Sequence, residues 1–240
     1  MNYKKSDLDI FLQERIRENK EELCRNLDAT LQYEQICLEE IVKGIKHCKS
    51  NIENCNKVLE KASISNMPVW SAKKEVFKDN LAIWNTLGHI QMASIEMKRY
   101  TKVLSSDNDD WAKHDAIKSA YTSIYETSKK LVDSTGKLMK FINYEFPNYE
   151  FSSFKEVRKE LTKFREDNKD ALTNVRNTID AHRDEDVCMQ IETAENLHLS
   201  DAVKLILDYG RIVNGLGTVV NSMKRLGILQ LKSVFEKTKN

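Results

Sequence analysis

From Ile117 to Ile142 one set of residues recurs in strictly alternating steps of four and three: Ile117, Tyr121, Ile124, Ser128, Leu131, Thr135, Leu138 and Ile142. That rhythm brings side chains back to one side of a helix with 3.6 residues per turn, whereas a strand would throw successive members to opposite faces. The same rhythm runs from Leu31 through Glu34, Leu38, Ile41, Ile45, Cys48, Ile52 and Cys55 to Leu59, with Glu34 the one member that spoils the apolar stripe. A β-rich chain needs many tight turns, and two prolines and seven glycines are few for 240 residues. No segment alternates with period two, and no repeat of fixed length is detectable. The fold class these stripes predict is all-α: an up-down bundle of about five main helices that begins with a long N-terminal helical hairpin.

The periodicity predicts a first helix over about 7–61, broken near Asn26 and ended by Met67-Pro68, since proline disfavours helix in the residue before it. A second helix is expected over about 70–104, with Phe77, Leu81, Trp84, Gln91 and Ile95 on one face, followed by the polar turn Ser105 to Asp110. The third covers about 110–143. After Pro147, Ser153-x-x-Glu156 has the pattern of a capping box opening a fourth helix with Val157, Leu161, Phe164, Asn168, Leu172, Val175 and Ile179 on its stripe. Residues 185–199 suit a short helix or a loop, and Ser200-Asp201 opens a fifth helix to about Leu226, with a docked tail. A boundary near Asp107 would divide the chain into an N-terminal hairpin, 1–106, and a bundle, 107–240; one continuous bundle is the other option.

Lys plus Arg number 38 and Asp plus Glu 37, so net charge points to no class of partner. The opening residues Met1 to Asp7 lack the apolar core of a signal peptide, and no apolar run approaches the ~20 residues that span a bilayer. The expectation is a cytoplasmic protein without membrane association. Five cysteines contain no C-x-x-C pair; Cys48 and Cys55 share an apolar helical face and read as buried thiols, not as a redox or zinc site.

Chemistry concentrates near the end of the fourth helix, where the chain reads Arg176-Asn177-Thr178-Ile179-Asp180-Ala181-His182-Arg183-Asp184. An Arg followed by a polar residue, then a His after four more, resembles the signature of the HEPN superfamily, and the Ala181-His182-Arg183-Asp184 run is similar to its abortive-infection members. The resemblance covers at most residues 107–240, and its specific part is under a dozen residues. It implies a helical bundle, often dimeric, acting as a metal-independent ribonuclease of toxin–antitoxin or phage-defence systems, with no cofactor. Its implied partners are a second copy of the chain, RNA, and an antitoxin or other protein.

The residue types suit that chemistry. Imidazole titrates near neutral pH and can move the 2′-hydroxyl proton, which makes His182 the candidate general acid/base. Arg176 offers a permanent, forked positive charge to a crowded phosphate, with Asn177 and Arg183 in support. On an ideal helix the six residues from Arg176 to His182 turn the side chains by about 240° and separate them by ~9 Å, so the two would not meet within one straight helix. A distorted helix end, or the same segment from a second subunit across a two-fold axis, would bring them together. The alternative reading is purely structural, with Arg176 pairing Asp180 on a solvated face and His182 capping a helix end.

Other features read as structure. His182, Asp184 and Asp186 could ligate a hard metal only if extended, and solvated acids fit them better. Gly210, Gly215 and Gly217 lack the spacing and the strand of a phosphate loop and suit close helix packing. Trp70, Trp84, Trp111, Tyr121 and Tyr125 fall on helical faces as core residues. Residues 151–185 hold eight basic and eight acidic side chains, whereas 200–240 hold seven basic and three acidic, a modest basic surface. The rival function from another class is a non-catalytic interaction protein whose Leu31 to Leu59 stripe pairs with a partner helix.

Overall fold

The computed structural model describes residues 7–61, 63–64, 66–106, 109–146, 151–181, 193 and 196–237, with backbone alone at 145, 179–181 and 225–237. The described residues form α1 (Asp7–Glu18), α2 (Lys20–Leu59), α3 (Met67–Ser105), α4 (Asp110–Glu145), α5 (Ser152–Asp167), α6 (Lys169–Val175), a π-helical turn (Arg176–Ala181) and α7 (Leu199–Lys237), with no strand among them. No described helix is long and apolar enough to cross a membrane.

α3 is the centre, packed against α2, α4 and α7. Its buried residues, including Phe77, Ile83, Leu87, Ile90, Ala93, Met97 and Leu104, face several directions around the axis, so the single stripe expected for it is too narrow. Residue pairs fix the directions. Asp28, Glu34 and Gly44 of α2 meet Lys102, Ser94 and Trp84 of α3, so the two run antiparallel. α7 also runs against α3, since Gly217 lies beside Ile90 and Lys224 over Trp84, and α4 meets α3 through Ser123 and Glu96. One buried cluster joins residues of α2 and α3 to those of α4, α5 and α7. Every member of the α4 stripe named above is buried. Its Thr135 hydroxyl satisfies itself on the Leu131 carbonyl at 2.6 Å, which lets a polar group sit in an apolar face.

Glu34 explains itself in the same way. Its Oε1 accepts from the Ser94 hydroxyl at 2.7 Å and from the Lys98 ammonium, and its carbonyl accepts from the Gln91 amide. The polar interruption of the α2 stripe is therefore answered across the interface by polar residues of α3. Cys48 and Cys55 are buried as expected, and burial pushes the Cys48 thiol up to about 11, leaving it protonated near neutral pH.

Helix boundaries differ from expectation where an asparagine acts. The first break falls at Asn19, not near Asn26, and the fourth helix breaks at Asn168, which the periodicity had placed on its stripe. Both residues adopt φ −109°, ψ 9°. Each turns its side-chain amide back onto the carbonyl four residues earlier, Asn19 onto Arg15 at 3.0 Å and Asn168 onto Phe164 at 2.8 Å, in competition with the backbone ladder. The capping box at Ser153 is not used. α5 starts at Ser152 after Phe151, with no side-chain cap, because burial of Phe151 and Phe154 sets the entry. Asp109 does cap α4, accepting from the Ala112 amide at 2.7 Å.

α7 begins at Leu199 and takes its cap from far away. Asp9 is the one buried residue of α1; its carboxylate accepts from the Ser200 amide at 2.8 Å and lies 3.4 Å from His198 Nδ1. An anion at a helix N-terminus is favoured by the unpaired amides there. Leu8, Ile10 and Phe11 of the same short helix stay exposed while Leu12 and Ile16 are half-buried, and the polar contact at Asp9 pins the start of α1.

Two glycines separate close packing from mere tolerance. A Cβ added at Gly44 would stand 2.5 Å from two carbons of the Trp84 indole, while one added at Gly210 would meet nothing within 4 Å. Gly44→Ala is expected to lower stability by about 1–3 kcal/mol despite the gain in helix propensity, and Gly210→Ala to raise it by about 0.5–1 kcal/mol. Thermal melting decides this: shifts of opposite sign are required, and a stabilised Gly44→Ala would mean the indole does not sit in that notch.

Candidate functional site

Arg176 opens the π-helical turn, and the local sequence accounts for that geometry. Asn177, Thr178, Ile179 and Asp180 are all poor α-helix formers, either β-branched or able to bond the backbone with a short side chain. The turn is pinned on its inner side by Leu172, Val175 and Thr178, which are buried. The Thr178 hydroxyl meets the Asn174 side chain at 3.2 Å. Arg176 and Asn177 remain on the outer side, half-buried and exposed.

The guanidinium of Arg176 lies across α4. Its Nε donates to Glu126 Oε1 at 3.2 Å, its Nη1 donates to Asn177 Oδ1 at 3.1 Å, and its carbon stands 5.4 Å from the centre of the Tyr125 ring. Two groups of one neighbouring helix and the next residue in sequence thus fix the plane of the fork. The pair is partly exposed, with side chains 27% and 42% accessible, so its attraction is modest and the restriction of geometry is the larger consequence.

Of the residues the sequence singled out, Arg176 and Asn177 are brought together directly. His182 and Arg183 lie outside the described residues, as do Asp184 and Asp186. The 240° separation of Arg176 and His182 assumed an ideal α-helix; over 176–181 the hydrogen bonds run to the fifth residue, so each turn takes more residues and the ideal rotation does not carry across it. The described part of this helix is therefore not straight. Tyr125, read as a core residue, packs partly buried against the core and also lies under the guanidinium, whereas Trp111 is 70% exposed on the first turn of α4.

Glu126 and Tyr125 were not visible as site residues in the sequence. They directly follow Ile124 of the buried α4 stripe, and nothing in a linear reading links Glu126 to a residue 50 positions later. Of the glycines read as close-packing positions, a Cβ at Gly217 or Gly215 would meet Ile90 or Val157 at 3.4 Å, an ordinary contact distance, and Gly210 stands in the open, so none is a notch like Gly44. Among the described residues no group of three or more His, Cys, Asp or Glu is placed to hold a metal ion. Comparison with protein-family models, with curated proteins and with solved structures finds no match.

The seat of Arg176 is testable without assuming any activity. Arg176→Ala and Glu126→Ala should each cost about 1 kcal/mol or less, with a coupling of about 0.5 kcal/mol between them in a double-mutant cycle. Strictly additive losses would show that Glu126 does not hold the guanidinium.

Proposed function

We propose that this chain is a HEPN-like, metal-independent endoribonuclease, the effector of a toxin or phage-defence module, acting as a homodimer. The observation that carries the reading is the π-helical turn that starts at Arg176, with the guanidinium fixed by Glu126, Asn177 and Tyr125. Single π turns inside α-helices are uncommon and are frequently kept at functional sites. Holding an arginine fork in one plane before any ligand arrives removes the entropy of ordering it later, which is how charge stabilisation of a transition state becomes effective.

In this mechanism Arg176 supports the negative charge that grows on the phosphate oxygens as the 2′-hydroxyl attacks. His182 takes the hydroxyl proton and returns one to the leaving oxygen. Asn177 orients Arg176, and Arg183 adds positive charge. The two copies of the segment face one another across a two-fold axis, so the arginine of one subunit works with the histidine of the other.

The rival reading, an interaction protein using the Leu31 to Leu59 stripe, loses the feature that supported it. Ile41, Cys48 and Cys55 of that stripe are buried, and Glu34 is bonded to Ser94 and Lys98, so α3 of the same chain already occupies it.

Cleavage of an unstructured RNA in EDTA, leaving 2′,3′-cyclic phosphate ends, is the expected outcome. His182→Ala should reduce the rate by about 10²–10⁴ with an unchanged melting temperature. Strict dependence on Mg²⁺ or Mn²⁺, or a His182→Ala variant that melts early and still cuts, would overturn the assignment.

A further inference from the structure

A second arginine laid against α4 has no side-chain hydrogen bond or ion pair among the described residues. Arg158 of α5 lies across α4 at Gly136, where an added Cβ would stand 3.2 Å from Nη2. Its Nε is buried without a hydrogen-bond acceptor, and no ion pair among the described residues involves it. A buried N–H left unpaired costs about 1–3 kcal/mol, and a glycine inside a helix costs about 0.5–1 kcal/mol relative to alanine. Two unfavourable features therefore coincide: a notch in α4 and a half-buried cation laid in it. That Nε is shut off from solvent, so a ligand would meet the outer nitrogens of the fork, and an ordered water or an anion there would answer the unpaired charge.

Position decides between them. Gly136 and Tyr125 are 11 residues apart on α4, which places them within ~20° of one another around the axis and ~16 Å apart along it. Arg158 and Arg176 thus lie over the same stripe of α4, and the exposed Lys129 falls on that stripe between them. Asp133 is exposed on the flank and makes no bond to Arg158. An arginine fork suits a phosphate oxygen pair, and a row of cations along one helix face, of which only Arg176 is paired with an acid, Glu126, among the described residues, suits a polyanion better than a small ion.

We infer that Arg158, in the notch at Gly136, is a phosphate-binding position for the RNA strand, gripping a backbone phosphodiester several nucleotides from the bond held at Arg176. This rests on the ribonuclease reading. The arginine touches a phosphate remote from the reacting atoms, so it binds substrate and takes no part in the chemistry.

The test is binding of a 2′-O-methyl strand of about twelve nucleotides, which lacks the nucleophile and stays intact, followed by fluorescence anisotropy over a range of salt. Arg158→Gln should weaken binding about tenfold near 0.1 M salt and lower the slope of log affinity against log salt by about 0.7, the share of one phosphate on a single strand. Arg158→Lys should recover part of the affinity. Gly136→Ala should weaken binding in the same direction while melting no earlier than the parent, because alanine favours the helix; this arm stands even if Arg158→Gln folds poorly. A dinucleotide, too short to reach from Arg176, should bind all four proteins alike. A parent that binds the strand while Arg158→Gln and Gly136→Ala match it in affinity and slope overturns this inference alone and assigns the notch to water. A parent that binds no RNA overturns the ribonuclease reading, and this occupant with it.

Discussion

The structure depends on the burial of α3 among three partners. A helix covered by α2, α4 and α7 cannot rely on one apolar stripe, and each contact direction needs its own means of fixing register. Against α2 the register is set by shape, with the Trp84 indole in the gap that Gly44 leaves. Lys224 of α7 stands over that ring at 5.0 Å and also pairs with Glu40 of α2 at 3.1 Å. One aromatic residue therefore locks three helices at a single level. Slipping any of them by a turn would drive a Cβ into the indole or strand a lysine.

Polar residues in the interior act as a second register. The Tyr209 hydroxyl, fully buried on α7, donates to Thr127 of α4 at 2.8 Å while its ring stacks on Phe164 of α5 at 5.5 Å. Burial pushes that phenol well above its usual range, so it stays a neutral donor. A buried polar group costs least where its partner is in place, so Tyr209 with Thr127, and Glu34 Oε1 with Ser94 and Lys98, fix the sliding position that apolar contacts alone leave loose. The same frame carries α4 past α6, where Tyr125 and Glu126 on its outer flank receive Arg176.

The α4 stripe was fully legible because helical periodicity and burial are the same fact seen twice: each residue at that spacing is inside. The breaks at Asn19 and Asn168 were harder, since an asparagine on a stripe looks like a tolerated polar residue until its amide is seen turning back on the preceding turn. The cap on α7 was out of reach in principle, because Asp9 stands 191 positions from Ser200. So was the seat of Arg176: the sequence offered Arg176 and Asn177 as neighbours, but Glu126 and Tyr125 join them only through the packing of α6 on α4. Glu34 shows the reverse. It was conspicuous as an exception, and its explanation lay in Ser94 and Lys98, which no local rule pairs with it.

The proposed ribonuclease requires Arg176 of one subunit to complete a site with His182 of another. Mixing inactive Arg176→Ala and His182→Ala proteins, after exchange of subunits, tests it most directly. Half of the dimers then carry both variants, and each of those has one intact site of two, so RNA cleavage should return to about a quarter of the parent rate. A mixture that stays as inactive as its two components, with subunit exchange verified, would contradict a site shared between chains.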